Sequence, residues 1–197
     1  MLSGGLAIPV GAFGSTRGPD GGCARRGGGI GLELTSRYAH GLEGGAALWV
    51  DINPSDSDGM SAIFNAELRR IFPSVDEFRI DAAQWYSGWL MGKGGYSPSS
   101  GGQHRAFVDG YGGIVVVRSP DFSITNVDTG YSIGPVAGDY LMGPAWGIEA
   151  GVRLHERISL GIMYRAGYAA ELGARLGTDY LSTFASVRLS LGYAYRI

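Results

Sequence analysis

From residue 187 to the C-terminus, large and small or polar positions alternate at every step. Val187, Leu189, Leu191, Tyr193, Tyr195 and Ile197 fall on one side, Arg188, Ser190, Gly192, Ala194 and Arg196 on the other. A period of two predicts a β-strand with one apolar face. Strands of soluble sandwiches typically run about five or six residues, whereas a tilted strand needs roughly nine to eleven to cross a bilayer. The same alternation recurs upstream: Ile158, Leu160, Ile162, Tyr164, Ala166 and Tyr168 form one apolar row, and Trp146, Ile148, Ala150, Val152 and Leu154 another. Only His155 and Glu156 separate these two rows, which predicts a hairpin. Residues 107–117, 85–96, 48–53, 30–38 and 2–10 complete the set, with 85–96 the least regular.

Eight strands result, and their connections fall into two classes. Those around 11–26, 54–84, 119–143 and 169–178 are long; those around 39–43, 97–104 and 155–156 are short. Strict alternation of long and short, with both termini on the short side, is the arrangement of a bacterial outer-membrane barrel with extracellular loops and periplasmic turns. The chain is therefore expected to be all-β, one eight-stranded antiparallel up-and-down transmembrane barrel over residues 1–197, in the bacterial outer membrane.

Face assignment follows from what hydrocarbon tolerates. Arginine near the bilayer midplane costs about 2 to 4 kcal/mol, so Arg188 and Arg196 must point inward and the odd-numbered residues must meet lipid. On that basis Glu33, Arg37, Asp51, Lys93, Asp109, Glu149, Arg153, Arg165, Arg188 and Arg196 share the lumen. Eight strands leave an interior just wide enough for side chains to fill, so these charges are expected to pair across it as a plug. A narrow pore for ions or small solutes is the alternative. Trp49, Met91, Met163 and Phe184 point inward and favour the plug.

Composition agrees. The chain has 35 glycines among 197 residues, and 17% are charged, against about a quarter in ordinary soluble proteins. Mean hydropathy is +0.04 and no 18-residue apolar run exists. A helical span is excluded, while alternating faces average to such a value. A net charge of −2 with no basic cluster leaves no electrostatic footprint for nucleic acid.

The terminus resembles the C-terminal assembly signal of bacterial outer-membrane proteins through Ser190, Gly192, Tyr195 and Ile197, with isoleucine where phenylalanine is usual. That resemblance implies the barrel assembly machinery as a partner in biogenesis and outer-membrane lipid as the surroundings. With the opening GGLAIPVGAFG stretch and the loop pattern, the whole chain resembles the eight-stranded outer-membrane barrels of the OmpA and OmpX type. Residues 1–13 carry no basic n-region, apolar core or cleavage site of a secretory signal, so a mature form with an added Met or a late-called gene start is expected. A soluble lipocalin-like barrel binding a small apolar ligand is the alternative that would account for this. It requires the apolar rows to point inward.

Chemistry is sparse. His40, His104 and His155 all fall in short turns and no histidine–serine pair is visible, so no enzyme is expected. No zinc-type spacing occurs, and Asn53, Asp56 and Asp58 resemble a calcium loop without its closing glutamate, since position twelve is Phe64. These three read as a polar turn, and neither metal nor cofactor is expected. Two loop features remain. Residues 58–72 predict a helix with Met60, Ile63, Phe64, Leu68 and Ile71 on one face, ended by Pro73, and that face is a candidate site for a protein partner. Residues 15–29 predict a flexible basic loop in which Cys23 is free. The function expected is structural, adhesive or complex-docking, exercised through the extracellular loops.

Overall fold

The computed structural model describes residues 1–17, 21–98, 104–155, 157–171 and 182–195, without the side chains of 169–171 and 182. Among these, eight strands close into an antiparallel barrel: β1 (Leu2–Val10), β2 (Gly27–Arg37), β3 (Leu42–Pro54), β5 (Gln84–Tyr96), β6 (His104–Arg118), β9 (Tyr140–Leu154), β10 (Ile158–Glu171) and β11 (Ser182–Tyr193). Closure comes from β1 pairing with β11, from Leu2 opposite Tyr193 to Val10 opposite Ala185. Among the described residues, each of the eight strands pairs on both sides, as hydrocarbon requires. No described helix is long and apolar enough to cross a membrane; the crossing elements are strands.

Alternation translates directly into two surfaces. Outside stand Ile30, Leu32, Leu34, Leu90, Ile148, Ile162, Leu189 and Leu191, each more than two fifths exposed. Inside stand Trp89, Met91, Met163, Arg165, Arg188, Asp51 and Asp109, each under 2% exposed. A lipocalin-like barrel would show the inverse, and an apolar exterior of this extent belongs in lipid.

The remaining elements lie in the long connections. β4 (Phe78–Ala82) pairs with β7 (Phe122–Asn126), which pairs with β8 (Ser132–Val136), giving a second, three-stranded sheet. Helix α1 (Ser57–Ile71) precedes β4. Its N-cap is Asp56, whose carboxylate accepts from the Gly59 amide at 3.1 Å. The polar turn expected around Asp56 is therefore a helix cap.

Several boundaries differ from the pattern-based expectation. β3 starts at Leu42, so Glu43 lies in a strand and not in a turn. β11 ends at Tyr193, leaving Tyr195 beyond the strand with its ring 4.9 Å from that of Tyr193. Three residues, not two, separate β9 from β10, with Leu154 directly opposite Ile158. The described residues of the first long connection are packed: Phe13, Cys23 and Ala24 are buried, and Gly22 and Ala24 donate backbone bonds to Ala12 and Phe13.

Candidate functional site

The lumen is filled in layers. Nearest the long loops, Phe13 from the first connection folds into the barrel mouth and meets Trp85 and Phe184, with ring centroids 5.4 and 5.2 Å away. Val115, Val117 and the helix residue Met60 pack on the same cluster. Apolar side chains thus pack this end.

Below them lies a charged layer. Asp51 on β3 receives Arg165 from β10 through one oxygen and Arg188 from β11 through the other, the latter at 2.5 Å. Arg165 also donates to Ser186 at 3.0 Å and lies 4.3 Å over the Trp89 ring. Buried cations are tolerated only when paired in this manner.

A second charged layer lies toward the short turns. Lys93 reaches Glu33 at 2.5 Å and Asp109 at 2.8 Å. Arg153 grips Glu43 through both nitrogens at 2.5 and 2.7 Å and lies 4.6 Å over the Phe107 ring. Glu149 takes bonds from the hydroxyls of Tyr111 at 2.8 Å and Ser190 at 2.9 Å. Trp49, Met91 and Met163 are buried among these charges, with Met163 directly opposite both Glu149 and Arg188 and Trp49 edge-on to Tyr111 at 5.0 Å. A vestibule of about 1350 Å³ opens at the short-turn end, and the lumen charges that line it are Glu33, Arg37 and Arg153, at its floor and rim.

Glycines make these layers possible. A Cβ on Gly29 would lie 2.1 Å from the Asp51 carboxylate, and one on Gly95 would lie 1.8 Å from that of Asp109. Each carboxylate occupies the space that a side chain on the adjoining strand would need.

Of the ten lumen charges expected, Glu33, Asp51, Lys93, Asp109, Glu149, Arg153, Arg165 and Arg188 are buried inside the barrel. Arg37 keeps the inward parity but lies exposed at the rim, where its Nε donates to the buried Glu43 carboxylate at 3.2 Å. As the last residue of β2, it stands beyond the packed interior. Arg196 lies outside the described residues. Sequence reasoning missed Glu43, Tyr111 and Ser190 as members of the network. In the C-terminal set, Ser190 and Gly192 face inward, Tyr195 is exposed, and Ile197 lies outside the described residues.

The second candidate site is the loop platform. α1 lies along β4 and satisfies its backbone with side chains one turn apart. Ser57 Oγ accepts from Ala82 at 3.0 Å, Ser61 Oγ from Ile80 at 2.7 Å, and Asn65 both accepts from and donates to Phe78 at 2.9 and 2.7 Å. This polar stripe was invisible to a reading of apolar periodicity. The expected interaction face is divided: Met60 packs on the barrel-mouth cluster, Phe64 meets Phe78 at 5.9 Å, Ile63 and Leu68 are half-buried, and Ile71 is exposed beside Phe72. Across the sheet, Ile80, Ile124 and Ile133 share one face, as do Ala82, Phe122 and Val136. The helix covers the β4 side, while Tyr131, Ile133 and Val136 on the β8 side stay exposed.

Ion pairs brace the loops. Arg25 pairs with Asp56 at 2.7 Å, and Arg118 with Asp121 at 2.6 Å. The Arg25 bond, with the Gly59 amide, holds the Asp56 carboxyl below its ordinary value. The Gly138 amide and then Arg118 do the same for Asp121. Burial, with Asp56 nearby, pushes the Cys23 thiol up. His104 and His155, distant in sequence, bring their rings to 5.8 Å at the short-turn end.

No family model matches the sequence, and no curated protein matches it. Solved structures do resemble it. Neisserial surface protein A is 14% identical, with 98% of this chain and 92% of that one covered and a TM-score of 0.50. Ail, the attachment invasion locus protein of Yersinia pestis, is 12% identical over 98% and 95%, with a TM-score of 0.51. The outer membrane enzyme PagL is 12% identical over 96% of each chain, with a TM-score of 0.52. Identities this low speak for architecture, and the apolar exterior and paired lumen agree with it. By fold, the chain is a closed eight-stranded antiparallel β-barrel, the architecture that these outer-membrane proteins share.

Proposed function

We propose that this barrel is a non-enzymatic surface protein whose work is done by its extracellular platform, docking or adhering to a protein partner while the barrel serves as a rigid base. The observation that carries this reading is the half-covered sheet: an ordered structure outside the barrel whose apolar face is packed under α1 on one side and bare at Tyr131, Ile133 and Val136 on the other. Contiguous exposed apolar side chains in water mark interaction sites. A lumen closed by aromatic packing and two charged layers supports a structural role over transport. Ail carries attachment in its name, which accords with adhesion, whereas PagL is named as an enzyme. Against an enzymatic role, His40, His104 and His155 all lie at the short-turn end, away from the platform.

The test compares cells lacking the protein with cells complemented by wild type or by the combined variant Tyr131→Ser, Ile133→Ser and Val136→Ser, at matched outer-membrane levels. Wild type should restore attachment to protein-coated surfaces, and the variant should not. Equal attachment by wild type and variant would overturn the platform reading. Incubating purified protein with outer-membrane lipid should leave every acyl chain in place by mass spectrometry, and acyl release would overturn the non-enzymatic reading.

A further inference from the structure

The formal charges outside the lumen are sorted by end. The short-turn segments, residues 37–41, 97–105, 155–157 and 194–197, contain four arginines and three histidines but one acidic side chain, Glu156. The long connections, residues 11–26, 55–83, 119–139 and 172–181, contain seven arginines against eleven carboxylates. A net charge of −2 therefore hides a basic end opposite an acidic one. At the basic end the charges converge on the vestibule of about 1350 Å³, which Arg37, Arg105, Arg153, Arg157 and His155 all line. Glu33 is the one acidic side chain among its lining residues, and Lys93 already engages it at 2.5 Å. Arg105 on β6 stands directly opposite Arg153 on β9, and like charges so placed across a sheet repel. Arg157, exposed in the following turn, makes no side-chain bond among the described residues.

We propose that the short-turn vestibule is a binding site for an acidic peptide segment of a periplasmic partner, whose carboxylates are received chiefly by Arg105 and Arg157. In the orientation that long extracellular loops impose, this end faces the periplasm. A guanidinium fork matches a carboxylate in both charge and geometry. A cleft lined by one sign of charge between low-dielectric walls focuses that field on an entering anion. Size selects among anions: the volume exceeds the roughly 300 to 1,000 Å³ of ordinary small-molecule pockets, so an extended segment bearing several carboxylates fills it and a lone small anion does not. Thr35 and Ser159 stand among the arginines as hydrogen-bonding groups for a main chain. The site lies at the opposite end of the barrel from the loop platform and does not depend on the partner proposed there.

Calorimetric titration of the full chain, folded in a zwitterionic detergent at low salt, tests this with three probes: tetraglutamate, tetraglutamine and inorganic tripolyphosphate. Tetraglutamate should saturate a single site and weaken as salt rises, tetraglutamine should not bind, and tripolyphosphate should bind more weakly than tetraglutamate. Arg105→Gln and Arg157→Gln should each weaken tetraglutamate about tenfold, as the loss of one charge-assisted hydrogen bond implies. Arg157→Gln, in an exposed turn, should do so at an unchanged unfolding midpoint, which keeps the test valid if Arg105→Gln fails to fold. Arg26→Gln, in the first long connection, should leave the affinity as it was. An absence of saturable tetraglutamate binding, tripolyphosphate binding as tight as tetraglutamate, or equal affinity in wild type and Arg157→Gln would overturn the proposal.

Discussion

Glu43 and Arg153 are 110 residues apart in sequence and meet side by side in the barrel, with two nitrogen–oxygen contacts of 2.5 and 2.7 Å. The pair also gathers its neighbours: Arg37 donates to the same carboxylate from the rim, and Lys93 lies 3.8 Å from it. Removing one partner of a buried pair strands the other, at about 3 to 5 kcal/mol. Glu43→Ala should therefore lower stability by that amount in an unfolding titration, and adding Arg153→Met should recover most of the loss. Purely additive losses in the double variant would show that the two side chains do not act as a pair.

The outward and inward rows respond differently to substitution. Leu189→Arg and Leu191→Arg place a guanidinium in lipid and should each cost about 2 to 4 kcal/mol if near midplane. Ser190→Ala, on the intervening inward position, removes one hydrogen bond to Glu149 and should cost about 1 kcal/mol. Bilayer-folding titrations check both, and equal losses on the two faces would contradict the orientation.

Gly95→Ala tests the seating of Asp109, because the new methyl would enter the space its carboxylate occupies. A loss of about 1 to 3 kcal/mol is expected in the same titration, as for overpacking elsewhere. Gly94→Ala is the control, since nothing lies within 4 Å of a Cβ there, and it should be near neutral.

Acid should loosen the platform before the barrel. The folded value of Asp56 is lowered, first by Arg25 and then by the Gly59 amide, so its contribution is fully present above the unfolded value of an aspartate and is lost as the pH falls through the lower folded one. Asp121 behaves alike, through Gly138 and Arg118. Hydrogen exchange should show α1 opening at or below about pH 4, the ordinary range for aspartate, with the barrel strands still protected. Cys23, buried and with its thiol pushed up, should resist alkylation at neutral pH until the first loop opens.

Strand number and facing were legible because, on most strands, large apolar residues alternate with small or charged ones. They were least legible where glycine erased the contrast. On β5 the outward Gly88, Gly92 and Gly94 carry no side chain and leave Leu90 isolated between glycines, while the inward row of Trp85, Trp89, Met91 and Lys93 is itself mostly large and apolar, so the two faces contrast little. At the start of β3, Gly44, Gly45, Ala46 and Ala47 hide both faces, which is why Glu43 passed for a turn residue. Charged lumen residues could be read from parity, but their partners could not: Asp109 faces Gly95 and Glu149 directly, a register that no local pattern encodes. The polar stripe of α1 was hidden for a different reason. Ser57, Ser61 and Asn65 cap a strand edge, a role set by a sheet that forms only when residues 78–82 and 122–136 meet.

Phe13, Trp85 and Phe184 pack above two charged layers, and the proposed loop function requires that this packing leave no conducting path. Planar-bilayer recording from purified, folded protein measures this directly. No steady conductance is expected at any holding potential, and Arg165→Ala should lower stability without opening a current. Stable, ion-selective currents from the wild type, with Arg165→Ala changing selectivity at unchanged stability, would contradict a filled lumen and assign the protein to transport.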